Sequence, residues 1–167
     1  MRVVCSYCRK PIREDPRSRS TDLSHGMCEA CSEHFGRLWE GIGLGEYLDG
    51  IPHPVMVVEG EGRLVAANRQ AGALLGRAPE AMIGLLGGEA MACVHSRLPG
   101  GCGKTVHCRE CTIRNSVGKV AKTRRALERQ PAYLRRADGV HPLRISVRPV
   151  DELVLVVIED VGPAEAA

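Results

Sequence analysis

Residues 50–76 read GIPHPVMVVEGEGRLVAANRQAGALLG, and their pattern decides the fold of the larger part of the chain. PVMVVE at 54–59 is a short apolar run of strand length, and GEG at 60–62 is a turn. RLVAAN at 63–68 follows as a second strand, so the pair predicts a hairpin. Asn68 stands where its side-chain oxygen can accept an amide hydrogen bond from a helix starting at Arg69. Ala71, Leu74 and Leu75 give that helix one apolar stripe, and Gly76 ends it. Pro79 suits the first turn of a further helix, EAMIGLL.

Downstream, CTIRNSVGKVAKTRRALERQ at 111–130 predicts a longer helix. Ile113, Val117, Val120 and Ala121 fall on one face, arginines and lysines line the other, and Gly118 weakens the helix without breaking its register. Three strands are expected to close the chain: AYLRRAD at 132–138, PLRISVRPV at 142–150 and ELVLVVIED at 152–160. The middle one alternates, with Leu143, Ile145 and Val147 on one face and Arg144, Ser146 and Arg148 on the other.

The order strand–strand–helices–strand–strand–strand resembles that of a PAS domain, and so does the local text. Residues 50–76 look like the opening of such a domain, and GVHPLRISVRPV and LVLVVIEDV look like its last two strands. The resemblance covers residues 48–161. It implies an α+β fold, a five-stranded antiparallel sheet with helices on one face. It also implies a sensory or protein-interaction module, often dimeric, that passes a local change to an output domain. With no room in the chain for a kinase, cyclase or DNA-binding output, the expected partner is a separate signalling protein such as a histidine kinase or regulator.

The segment CVHSRLPGGCGKTVHCREC, from Cys93 to Cys111, sits between the short helices and the long one. It carries Cys93, Cys102, Cys108 and Cys111. Three readings compete for it. In the first, the four thiolates hold an iron–sulfur cluster, with Gly100, Gly101 and Gly103 leaving backbone amides free to approach the sulfides. In the second they hold zinc, with His107 or His95 able to replace one cysteine. In the third, Cys108 and Cys111 form a reversible disulfide, favoured by neighbouring Arg109 and His107. Haem and flavin are poorly supported, because CREC is followed by Thr112 rather than His and ring-stacking aromatics are scarce. GGCGKT at 100–105 is a coincidental likeness to a phosphate loop, since Leu98 stands where the leading glycine belongs.

The other four cysteines lie near the beginning. Cys5 and Cys8 form one CxxC pair and Cys28 and Cys31 another, a spacing that brings two knuckles to one tetrahedral zinc ion. The loop between them is polar, so the metal supplies stability that so small a core cannot. His25 is a secondary ligand candidate, or shapes the second knuckle. The alternative of two redox-active pairs lacks the strand–helix setting such motifs need. CSYC together with SHGMCEAC resembles the short four-cysteine, zinc-ribbon-like segments that flank sensory and receiver domains in bacterial signalling proteins.

These readings divide the chain into a zinc-binding module (1–37), a helical linker (38–50) and a PAS-like domain (51–161) with a cysteine-rich insert at 93–111. In the linker region, Phe35, Leu38 and Trp39 form an apolar stripe that Leu44, Tyr47 and Leu48 can continue, either as packing or as a homodimer surface. No run of about 18 apolar residues occurs, and no signal peptide is discernible, so a cytoplasmic location without a membrane partner is expected. Eight cysteines in such a chain point to metal or redox chemistry.

Residues 109–148 carry eleven Arg or Lys against three acidic residues, which raises nucleic acid as a partner. Net charge is only +3, and the stretch lacks the aromatics a single-strand platform needs. No paired carboxylates or nucleophile elbow argue for an enzyme. The expectation is a sensor or adaptor whose 93–111 site responds to redox state, oxygen or metal. The alternative is a protein-interaction adaptor with two purely structural zinc sites, and a basic nucleic-acid-binding regulator stands behind both.

Overall fold

The computed structural model describes residues 2–5, 8–14, 23–33 and 44–166. The chain forms two compact units, Met1–Gly43 and Leu44–Ala167. Phe35, Leu38 and Trp39, on which the expected linker helix rests, lie outside the described residues.

In the first unit, β1 (Arg2–Cys5) is the central strand of three. It pairs antiparallel with β2 (Pro11–Glu14) and parallel with β3 (Leu23–Gly26). The chain turns tightly between the first two: Cys5 N–H donates to the Lys10 carbonyl at 2.8 Å and Arg9 N–H to the Cys5 carbonyl at 3.0 Å. Arg9 has φ 61°, the left-handed conformation that closes such a turn. A short helix, α1, spans 29–33.

The second unit opens with α2 (Leu44–Asp49) and continues as β4 (Val55–Val58), β5 (Leu64–Ala67), α3 (Arg69–Leu75), α4 (Pro79–Met82) and α5 (Gly87–Ala90). Two 3₁₀ turns, Val94–Arg97 and Val106–Glu110, lead into α6 (Thr112–Thr123). Strands β6 (Leu127–Arg136), β7 (Gly139–Val150) and β8 (Leu153–Val161) complete the chain. The sheet order is β5-β4-β8-β7-β6, antiparallel throughout.

Strand alternation divides two cores. Met56 and Val58 of β4 face the cluster built with Val117 and Val120 of α6, Leu75 of α3, Met82 of α4 and Ile145 and Val147 of β7. Val55 and Val57 face the opposite way and join Leu48 of α2, Ala66 and Val157. Thus α3 to α6 cover one face, and α2 caps part of the other.

Asn68 caps α3 as its position predicts: its side-chain oxygen accepts from Ala71 N–H at 2.9 Å. Gly76 closes the helix in the left-handed region at φ 67°. Two expectations need correction. The helix expected over 111–130 ends at Thr123, with Arg124 left-handed at φ 57°. Leu127 and Gln130 belong to β6, where they pair with Val147 and Ile145 of β7; ladder pairing overrides the helical preference of RRALERQ. The helix expected over EAMIGLL stops at Met82, because Gly84 takes φ 83° and its N–H bonds back to the Leu64 carbonyl.

Strand β6 is an edge of the sheet. It carries a register shift between Leu127 and Gln130, with Arg129 at φ 50°, and Pro131 lies within it.

Candidate functional site

Two groups of cysteines are assembled by the fold, and none of the eight is in a disulfide. The first group is small and tight. Cys5 ends β1, Cys8 lies in the turn that follows, Cys28 precedes α1 and Cys31 lies on it. The four sulfurs all lie within 4.8 Å of one another. Cys8 Sγ is 3.7 Å from Cys28 Sγ. A tetrahedron with zinc–sulfur bonds of about 2.3 Å has edges of about 3.8 Å, so the spacing fits that ion.

Crowding also shows at one member of the set, Cys31. The Cys31 thiol is pushed up to about 12, first by its hydrogen bond with Cys28, then by burial and by hydrogen bonds with Cys5 and Cys8. Thiolates packed this closely repel one another unless a cation sits among them. The backbone of His25 pairs with Val4 in the β1–β3 ladder, and its side chain lies outside the described residues.

The second group lines a cleft of about 1450 Å³ in the larger unit. Cys93, Cys102, Cys108 and Cys111 all face it, as do His95 and His107. Its floor is apolar, formed by Met56, Val58, Met91, Val117 and Val156. Cys111 is also the N-cap residue of α6. Gly100, Gly101 and Gly103 all have positive φ (93°, 72° and 88°), which lets the loop fold back tightly between Cys93 and Cys108. GGCGKT follows a 3₁₀ turn and not a strand, so it lacks the setting of a phosphate loop.

Of the three loop glycines expected to offer amides, Gly103 reaches a cysteine sulfur, and Gly101 N–H instead donates to the Leu98 carbonyl. Gly103 N–H donates to Cys108 Sγ at 3.1 Å. Gly88 N–H, from α5, donates to Cys102 Sγ at 3.3 Å. Thr105 Oγ1 lies 3.2 Å from Cys108 Sγ. These contacts make the two cysteines unequal. Burial pushes the Cys102 thiol up, with the other three cysteines adding to the effect and the Gly88 amide opposing it. Burial acts the same way on Cys108, but hydrogen bonds from Thr105 and Gly103 and the charge of Arg114 outweigh it and hold Cys108 below the ordinary thiol range.

The structure also brings the two histidines together. The rings of His95 and His107 stack with centroids 3.9 Å apart and planes 14° from parallel. Burial, the neighbouring His107 and the charge of Arg135 lower the pKa of His95. This setting favours the neutral form of His95.

Sequence reading found the thiols and both histidines of the cleft but missed Gly88, Thr105 and Arg114. For Thr105 a signal existed, a hydroxyl three residues before a cysteine. Gly88 is fourteen residues from the sulfur it serves, and only the fold joins them. Among the described residues, the N-terminal set is the one group of three or more metal-ligating side chains whose ligand atoms lie within 4.8 Å of one another.

Residues 48–166 match the family model described as PAS fold. No curated protein matches the chain. Among solved structures, the photoactive yellow protein domain of the sensor histidine kinase Ppr from Rhodospirillum centenum is similar, with TM-score 0.50 and 18% identity over 72% of this chain and 96% of that one. A domain of a sensory box sensor histidine kinase/response regulator from Geobacter sulfurreducens has TM-score 0.50 and 14% identity, over 77% of this chain and 96% of that one. The PAS domain of BvgS from Bordetella pertussis has TM-score 0.50 and 17% identity, over 79% and 88%. At such identities the likeness speaks for the fold alone.

Proposed function

The chain belongs to the PAS fold family, a family of non-catalytic sensor domains, and on that premise we propose that it is a signal-transduction sensor whose signal is received at the 93–111 cleft. Cys93, Cys102, Cys108 and Cys111 would hold an iron–sulfur cluster there, and Cys5, Cys8, Cys28 and Cys31 a structural zinc ion. The observation that carries the reading is the convergence of four thiols on one cleft, with sulfur atoms already accepting amide hydrogen bonds.

Donor chemistry supports the difference between the sites. Sulfur-only sets suit zinc and iron–sulfur clusters alike. The first set has the spacing of a single ion. The second is spread around a cleft, which suits a body larger than one ion. When bound, a cluster supplies one-electron chemistry and sensitivity to oxygen. The protein's part is to bind it and to register its state.

Cys111 links the site to the rest of the domain, because it is both a proposed ligand and the N-cap of α6. Helix α6 packs Val117 and Val120 into the core shared with β7 and β8. A change at the cysteine loop would therefore shift α6 against the sheet, whose motion a signalling partner reads. A partner of the histidine kinase or regulator class is supported by the company of similar domains, two of which are parts of sensor histidine kinases. No helix among the described residues is long and apolar enough to cross a membrane.

The test is anaerobic purification followed by iron, acid-labile sulfide and zinc analysis with a visible spectrum. We expect about one zinc per chain together with iron and sulfide, and a broad absorbance near 400 nm that is lost on Cys108→Ala. About two zinc per chain, no iron and no colour would leave an adaptor with two structural zinc sites.

A further inference from the structure

We propose that Thr105 sets the redox poise of the 93–111 site by donating its hydroxyl hydrogen bond to the Cys108 sulfur; this rests on the iron–sulfur reading above. Thr105 is the N-cap residue of the 3₁₀ turn Val106–Glu110. A threonine there ordinarily turns its oxygen onto an exposed amide of the first turn. In this turn no such side-chain cap bond exists. The hydroxyl instead lies 3.2 Å from Cys108 Sγ, on the third residue of the turn, while the Cys108 N–H goes to the Thr105 carbonyl at 3.1 Å.

Both partners are buried, Thr105 at 9% exposure and Cys108 at 7%. A buried hydroxyl needs a partner, and among the described residues the sulfur is its hydrogen-bond partner. The direction of the bond follows from chemistry. A sulfur bound to metal carries no proton, so the hydroxyl must donate. Gly103 N–H donates to the same atom at 3.1 Å, so Cys108 receives two donors where Cys102 receives one at 3.3 Å.

Donors pointed at a ligand sulfur favour the state with more negative charge on the site. With a cluster bound, a one-electron donor such as the dithionite of the titration below would add one electron to it and change no protein bond, so the Thr105 dipole would stabilise the reduced form and raise the potential. The Gly103 amide would do the same, but it belongs to the backbone and no substitution other than proline removes it. Thr105 is the part of this pair that side-chain chemistry can tune.

The experiment compares wild type, Thr105→Val and Thr105→Ser, purified anaerobically and titrated with dithionite and mediator dyes while the visible and paramagnetic resonance spectra are followed. Iron and sulfide content should be the same in all three. T105V, equal in shape and without the hydroxyl, should titrate at a lower potential, and T105S should return toward wild type. A loaded T105V protein that titrates at the wild-type potential overturns the proposal. If T105V does not assemble, Thr105→Ala, which demands no extra space, is titrated in its place by the same criterion. Absence of iron and sulfide from the wild type itself overturns the cluster reading, and the proposal falls with it.

Discussion

The side-chain oxygen of Asn68 accepts the backbone N–H of Val55 at 2.9 Å. The same oxygen caps α3 through Ala71 N–H. The amide nitrogen donates to the carbonyls of Leu48 at 3.1 Å and His53 at 2.8 Å. One fully buried side chain therefore ties α2, the start of β4 and α3 together. Asn68→Ala removes a helix cap worth about 0.5–2 kcal/mol. It also leaves buried backbone groups without partners at about 1–3 kcal/mol each. We expect a loss of roughly 3 kcal/mol or more, read from denaturant unfolding of the purified protein; a change under about 0.5 kcal/mol would contradict the hub role.

Two helical glycines should respond to alanine with opposite signs. A Cβ on Gly72 of α3 would come within 2.7 Å of the Arg77 carbonyl oxygen and 3.0 Å of Pro79 Cδ. Backbone and a proline ring cannot yield cheaply, so Gly72→Ala should cost about 1–3 kcal/mol despite alanine's better helix propensity. On Gly118 of α6 a Cβ meets nothing within 4 Å. Gly118→Ala should stabilise by about 0.5–1 kcal/mol. Paired melting curves decide it, and the same sign for both would refute this packing of α3 and α6.

Asp49 and Arg69 give a pH signature. The Arg69 N–H and guanidinium Nε both donate to the Asp49 carboxylate, each at 2.7 Å. The backbone bond first, with help from the guanidinium, holds the Asp49 carboxyl below its usual range. A depressed folded pKa means the unfolded chain binds the proton more readily. The contribution is thus present above the unfolded value of about 3.9 and is lost as pH falls through the folded one. Asp49→Asn should melt lower than wild type at pH 7, and the gap should close below about pH 4. A gap that stays constant down to pH 3 would remove Asp49 from the acid response.

The zinc ion proposed for the first unit should be needed for its fold. A chelator strong enough to strip the ion, or Cys28→Ser, should dissolve the pairing of β1 with β2 and β3. Metal-driven folding of this class is worth about 10–16 kcal/mol in small zinc peptides, more than so short a segment can replace. Amide exchange across residues 2–14 measures this, with the strands of the second unit as an internal control. Unchanged protection after zinc loss would show that the segment holds itself together.

Much of the larger unit was legible because strand and helix periods differ. The hairpin around Glu59–Gly62, the Asn68 cap, the Gly76 stop and the apolar face of α6 all follow from local spacing. The stretch at 124–130 was not, since arginine, leucine, glutamate and glutamine are good helix formers. Its conformation is decided by partners on β7 that lie about fifteen to twenty residues away. Site residues divide in the same way. Cysteines announce themselves by spacing, whereas Gly88 contributes an amide that every residue type except proline carries.

Pro131 and the Arg129 bulge on β6 have a bearing on the protein's behaviour at high concentration. A ten-residue border strand offers a row of unused amides and carbonyls on which a foreign strand can grow. Proline withholds one of the amides, and the kink at Arg129 bends the row out of line. The two together act as a guard against fibrous stacking. Replacing Pro131 with a β-branched residue would keep the fold while leaving concentrated samples prone to assemble edge upon edge.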